Sequence, residues 1–197
     1  MNKTQVLRTT RDICTIGVLI ALGVVFSAFL PIKVFSDIKI DLSYIVIVVI
    51  CYLYGSIVGG FSAALITLFE SLLFSSYGIS ISWICANLVI GFITGFTMKH
   101  YNFKFKVVVD ITAIIISCAL GLLLLKTVIE CNLYGIPFAV KIVKNAVAFG
   151  MDTACMLIGY CCFLPRILKQ IKRNHIKMLE EEEYRLSCQF PEQYEEE

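Results

Sequence analysis

The chain has 197 residues, 58% hydrophobic and only 16% charged, with a formal net charge of +2. Water-soluble proteins average roughly 45–50% apolar and about 25% charged residues, so this chain carries more apolar surface than one soluble core can hide. A lipid bilayer is the expected partner, and no nucleic-acid partner is expected.

Lys3, Arg8 and Arg11 open the chain, and an apolar stretch from Ile13 to Ile32 follows. At about 20 residues that stretch is too long for the roughly 7–15-residue core of a secretory signal and fits a spanning helix. Apolar runs and their punctuation predict helices near 13–31, 40–56, 58–75, 80–98, 107–129 and 139–164. The expectation is an all-α, six-transmembrane-helix bundle over 13–166, between a short N-terminus (1–12) and a charged tail (167–197). Both termini then share one side. Lys99, Lys104 and Lys106, with the basic residues before helix one and after helix six, fall on that side. By the positive-inside rule it is the cytoplasm, which makes the chain a multi-pass protein of the cell membrane.

Helix one places Gly17 and Ala21 four residues apart, with Gly23 and Ala28 further on. Small residues at that spacing let another helix backbone approach closely, inside the bundle or from another subunit. The first outer loop, Lys33 to Asp41, alternates charge with apolar residues. A short glycine-rich joint at Gly55, Gly59 and Gly60 predicts a tight hairpin between helices two and three. Helix three carries Glu70, costly in lipid unless paired or functional.

Helix four sets Trp83, Asn87, Gly91 and Gly95 on one face at steps of four. An interfacial tryptophan and an interhelical asparagine are the plain readings; their shared face favours a pocket. The loop from Lys126 to Lys144 contains Glu130 and Tyr134, and Lys141, Lys144 and Asn145 share the first turns of helix six, able to aim donors at an anion. For any one lysine, snorkelling to the interface is the plainer alternative.

Nine cysteines form no CxxC pair, and the two histidines, His100 and His175, sit in hydrophilic segments, so no metal site is expected. No GxxxxGK[ST], GxSxG, HExxH or GxGxxG motif occurs. No catalytic residue and no cofactor are expected.

In order and spacing, these pieces resemble the substrate-binding subunits, or S components, of energy-coupling factor (ECF) vitamin transporters, most closely the folate-type group. The matching features are Gly17, Ala21 and Leu22; the segment Ile40 to Ile45; Gly55 and Gly59; Gly91 and Gly95; and Leu133 to Phe138 before a basic helix start. Ser56, Thr67, Lys141 and Gly150 depart from the group's usual proline, aspartate, arginine and proline. The resemblance implies capture of a vitamin, folate favoured, by the outer loops and outer helix ends. It also implies docking through Gly17 and Ala21 to a membrane scaffold subunit driven by two cytoplasmic ATPase subunits. Candidate substrate contacts are Lys39, Asp41, Tyr44, Trp83, Asn87, Lys126, Tyr134, Lys141, Lys144 and Asn145. The alternatives are an ion-coupled carrier working through Glu70, Asp110 or Asp152, and a non-transport membrane scaffold.

Overall fold

The computed structural model describes residues 10–29, 32–35, 38–74, 79–100, 106–135, 137–167, 169–170 and 173. The chain divides into two units, Met1–Tyr160 and Cys161–Glu197. In the second, Arg173 Nη2 donates to Gln170 Oε1 at 2.8 Å; the acidic end of the charged tail, expected to be partly disordered, lies outside the described residues.

The first unit is a helical bundle. Helix α1 is Thr10–Phe29, α2 is Ser43–Tyr54, α3 is Ser56–Phe74 and α4 is Ile81–His100. Helix α5 runs Lys106–Tyr134, and α6 is the apolar helical stretch Phe138–Ile167, of which the part up to Tyr160 belongs to this unit. Five of these six are long and apolar enough to cross a bilayer, and α2 is not. Its 12 residues reach only about 18 Å at ~1.5 Å per residue, against a hydrocarbon core of roughly 30 Å. Tyr44, Val48, Ile50 and Cys51 of α2 are completely buried, so this short helix is wrapped by its neighbours rather than by lipid.

The sequence expectation of 40–56 for this helix overran both ends. Before it, residues that alternate charge with apolar side chains form a two-stranded antiparallel hairpin, β1 Ile32–Phe35 and β2 Ile38–Ile40, with Lys33 opposite Lys39. Period-two alternation is a strand signal, and this hairpin is the structure's addition to an otherwise helical bundle among the described residues. At the far end Gly55 stops α2 with a φ of 85°, a backbone angle that glycine adopts without a Cβ penalty.

Helix α5 contains a wider π-helical stretch, Ala119–Lys126, followed by a last α-helical segment, Thr127–Tyr134. It therefore outruns its expected end at residue 129. Gly135 terminates it with a left-handed φ of 64°, its N–H bonded to Cys131 O at 2.9 Å, and Pro137 starts α6. The long outer loop expected between Lys126 and Lys144 is thus mostly helix.

Burial follows the bilayer's logic. Val18, Phe29, Leu73 and Val143 are each at least 65% exposed, which in water would be a liability and in lipid is the ground state. Inside, several polar groups bond across helices: Thr94 and Ser117 hydroxyls meet at 2.8 Å, and Ser56 Oγ donates to Phe92 O at 3.0 Å. Such bonds hold membrane helices together where burial of apolar surface gives no gain over lipid.

Candidate functional site

The face of α4 read from the sequence behaves as one seam. Gly91 and Gly95 bring its backbone onto the α2–α3 joint: a Cβ at Gly91 would lie 2.6 Å from Gly59 O, and one at Gly95 2.8 Å from Gly55 O. One turn before Gly91, Asn87 is buried and linked on both sides. Tyr44 Oη donates to Asn87 Oδ1 at 2.8 Å, and Asn87 Nδ2 donates to Thr67 Oγ1 at 2.6 Å. Thr67 in turn donates to Ala63 O at 3.0 Å. This chain of bonds ties α2, α3 and α4 together with every amide and hydroxyl direction specified.

One turn earlier again stands Trp83, the single tryptophan. Lys126, at the end of the π-helical stretch, places Nζ 3.4 Å from the centre of the Trp83 ring and is only 5% exposed. An ammonium so close to an indole face and so well removed from water is a strong cation–π pair. Snorkelling, the plainer expectation for a lysine here, is not what this side chain does.

Glu130, one turn beyond Lys126, is the hub that sequence reading passed over. Its Oε1 accepts from Ser82 Oγ at 3.3 Å; its Oε2 accepts from Asn145 Nδ2 at 3.4 Å and pairs with Lys141 Nζ at 3.2 Å. Asn145 Nδ2 also donates to Thr127 Oγ1 at 2.9 Å. Of the three donors expected to converge on an anion from α6, Lys141 and Asn145 do so, on the protein's own carboxylate. A step of four from Lys126 could have flagged Glu130, had α5 been extended to Gly135.

The remaining candidates separate. Asp41 accepts the Ser43 backbone N–H at 2.9 Å, tying down the start of α2. Lys144 and Tyr134 are exposed, and Lys39's side chain lies outside the described residues. Among the carboxylates considered for ion coupling, Asp110 is fully buried and accepts from Tyr160 Oη at 2.8 Å, Asp152 is buried on α6, and Glu70 is half-buried on α3. None of the bonds described for these three joins them to the Trp83–Glu130 cluster.

Gly17 and Ala21 face away from the bundle. A Cβ at Gly17 would meet nothing within 4 Å, and in the window Asp12–Phe29 only 17% of the residues are buried, against 44% in α3 and α4. Both line an apolar groove of about 500 Å³ between α1 and α3, together with Ile20, Val24, Phe69 and Leu73.

Against known proteins, the family model of the ECF-type riboflavin transporter S component matches residues 7–169. No curated protein sequence matches. Among solved structures the chain is similar to one described as the crystal structure of FolT bound with folic acid, with a TM-score of 0.57 and 23% identity, over 77% of this chain and 92% of that one. That likeness establishes a shared fold. The family is one of transporter substrate-binding components rather than of enzymes, which bears out the resemblance drawn from the sequence motifs. This multi-pass membrane chain belongs to the ECF-type riboflavin transporter S component family.

Proposed function

We propose that this S component captures a flat-ringed vitamin from outside the cell membrane at the cluster joining α4, α5 and α6. The observation that carries the reading is the convergence of one aromatic face, Trp83, with two lysines, a carboxylate and an amide from three helices. Pockets that orient small molecules combine an aromatic or apolar wall with a few convergent polar groups in this way. Trp83 supplies stacking; Ser82, Thr127, Glu130 and Asn145 supply directional hydrogen bonds.

Riboflavin is the first candidate ligand. Its uncharged ring and polyhydroxyl chain suit a cluster in which Lys141 already pairs with Glu130 and the other partners are hydroxyls and an amide. Folate, favoured from sequence, is the second reading; Lys126, Lys141 and Lys144 would answer its carboxylates, and the fold shared with FolT supports it. Delivery proceeds through Gly17 and Ala21, whose open face suits a close-packing helix of a membrane scaffold subunit. Two cytoplasmic ATPase subunits supply the energy, and the termini of this chain lie in the cytoplasm.

Calorimetric titration of the purified protein with riboflavin, folic acid and the other B vitamins tests the reading. Binding of one of them at micromolar affinity or better is expected, weakened by replacing Asn145 with alanine. Failure of the whole panel to bind would sink the proposal.

A further inference from the structure

The groove between α1 and α3 has a shape that docking of a helix does not account for. It runs from Gly17 and Ala21 towards one end of α1, past Val25 and Leu73, to Phe29 and Phe74 at the other. Among the described residues no polar side chain lines it. Phe29 and Phe74 meet edge to face, their ring centres 5.6 Å apart. From Gly17 to Phe29 the helix rises about 18 Å at ~1.5 Å per residue, close to one leaflet, which is half of a hydrocarbon core of roughly 30 Å.

The width is as informative as the length. A volume of about 500 Å³ spread over ~18 Å of helix has a mean cross-section of roughly 28 Å². An α-helix, ~10–12 Å across with its side chains, needs roughly 80–110 Å². Apolar chains packed at carbon–carbon contacts of about 4 Å need roughly 20 Å². The groove is thus one hydrocarbon chain wide and one leaflet long, and a partner helix can only lie across its mouth. Charge stands near one end of it. Lys33 follows Phe29 by four residues, a stretch that spans at most about 14 Å. The hairpin register sets Lys33 directly opposite Lys39, two like charges whose repulsion an anion between them relieves.

We propose that this groove seats one acyl chain of an anionic phospholipid of the outer leaflet, whose phosphate is received by Lys33 and Lys39. The leaflet follows from the orientation read above, with the termini in the cytoplasm and Phe29 towards the outer surface. The acyl chain fills a slot that would otherwise forgo dispersion contacts along both helices. The paired lysines select the headgroup.

Native mass spectrometry of the purified protein tests the seat. Delipidated protein is exchanged into vesicles of phosphatidylglycerol or of phosphatidylcholine with the same acyl chains, extracted in mild detergent and weighed intact. Wild type should keep one phosphatidylglycerol per chain under activation that strips phosphatidylcholine. Val25→Trp combined with Leu73→Trp, which fills the groove, should lose that lipid. Lys33→Gln combined with Lys39→Gln should lower the preference for phosphatidylglycerol by about 10-fold or more, the loss of a charged hydrogen bond, with the wild-type unfolding midpoint kept.

A wild type that holds both lipids equally, or releases both, would overturn the proposal. So would a groove-filled protein, or a lysine variant, that keeps phosphatidylglycerol as wild type does. Should the groove-filled protein fail to fold, the lysine variant, changed outside the helices, decides alone. The measurement uses neither vitamin nor scaffold, so its failure leaves the vitamin-binding reading standing, and a vitamin panel that fails to bind leaves the lipid seat standing.

Discussion

Two stripes of small residues in this molecule look alike on paper and behave as opposites. On α4, Gly91 and Gly95 are pressed against the backbone of the α2–α3 joint, where added Cβ atoms would lie 2.6 and 2.8 Å from carbonyl oxygens. On α1, Gly17 would meet nothing within 4 Å. The spacing of four is the same because the physics is the same: small residues in register let helix backbones meet where lipid provides no hydrophobic drive. What differs is who meets them. The α4 stripe is satisfied within the chain, whereas the α1 stripe borders an open groove and is available to another helix.

The largest effect should come from filling the internal seam. In Gly91→Leu the atoms in the way are the backbone of Gly59 and Gly60, which cannot rotate aside as a side chain would. The cost should exceed the ~1–3 kcal/mol usual for overpacking. The expected outcome is loss of a monodisperse species on size exclusion in mild detergent; a folded Gly91→Leu protein with wild-type thermal stability would show that the seam is looser than these distances imply.

Filling the open stripe should leave the fold alone and disable transport. Gly17→Leu and Ala21→Leu are each expected to keep the wild-type unfolding midpoint and vitamin affinity while uptake into cells falls to background, because the added bulk holds the scaffold helix away. Uptake at wild-type rates in both variants would remove the docking role from α1 and, with it, the contrast between the two stripes.

A smaller loss is expected in the buried chain beside the internal seam. Tyr44→Phe removes the hydroxyl that donates to Asn87 Oδ1 at 2.8 Å and leaves a buried acceptor without that partner, a cost of roughly 1–3 kcal/mol. Thermal unfolding followed by circular dichroism measures it. An unchanged midpoint would mean that the bond is not formed in solution.

How legible these differences were in the sequence depends on the kind of information each needs. The α4 face was readable because Trp83, Asn87, Gly91 and Gly95 repeat at helical spacing on an uninterrupted helix. The hairpin at Ile32–Phe35 and Ile38–Ile40 shows in the sequence only as alternation, over strands of four and three residues that are too short to tell from an irregular loop. Lys126 is legible as a candidate contact, but its place over Trp83 and the role of Glu130 are hidden by local geometry. The π-helical stretch Ala119–Lys126 shifts the phase that 3.6-residue counting assumes, and the helix runs on to Gly135, past the expected end at 129 that leaves Glu130 in a loop. Tertiary pairing hid the rest: nothing in the order of residues reveals that Lys141 and Asn145 find their anion within the chain. Whether a small-residue stripe faces inward or outward is likewise a property of the assembled bundle.

The finest division lies within α1 itself. Gly23, six positions beyond Gly17, turns into the bundle: a Cβ there would lie 2.6 Å from Ile66 Cδ1 and 3.1 Å from Cγ1. Unlike the backbone met by Gly91, these atoms are the outer part of a side chain, which can change rotamer at modest cost. Gly23→Ala should therefore lose about 1 kcal/mol, the low end of overpacking, partly offset by alanine's better helix propensity. Uptake should be unchanged, since this position does not face the groove's partner. A Gly23→Ala protein with full stability and no uptake would reverse the assignment, making Gly23 rather than Gly17 the point where the partner helix sits.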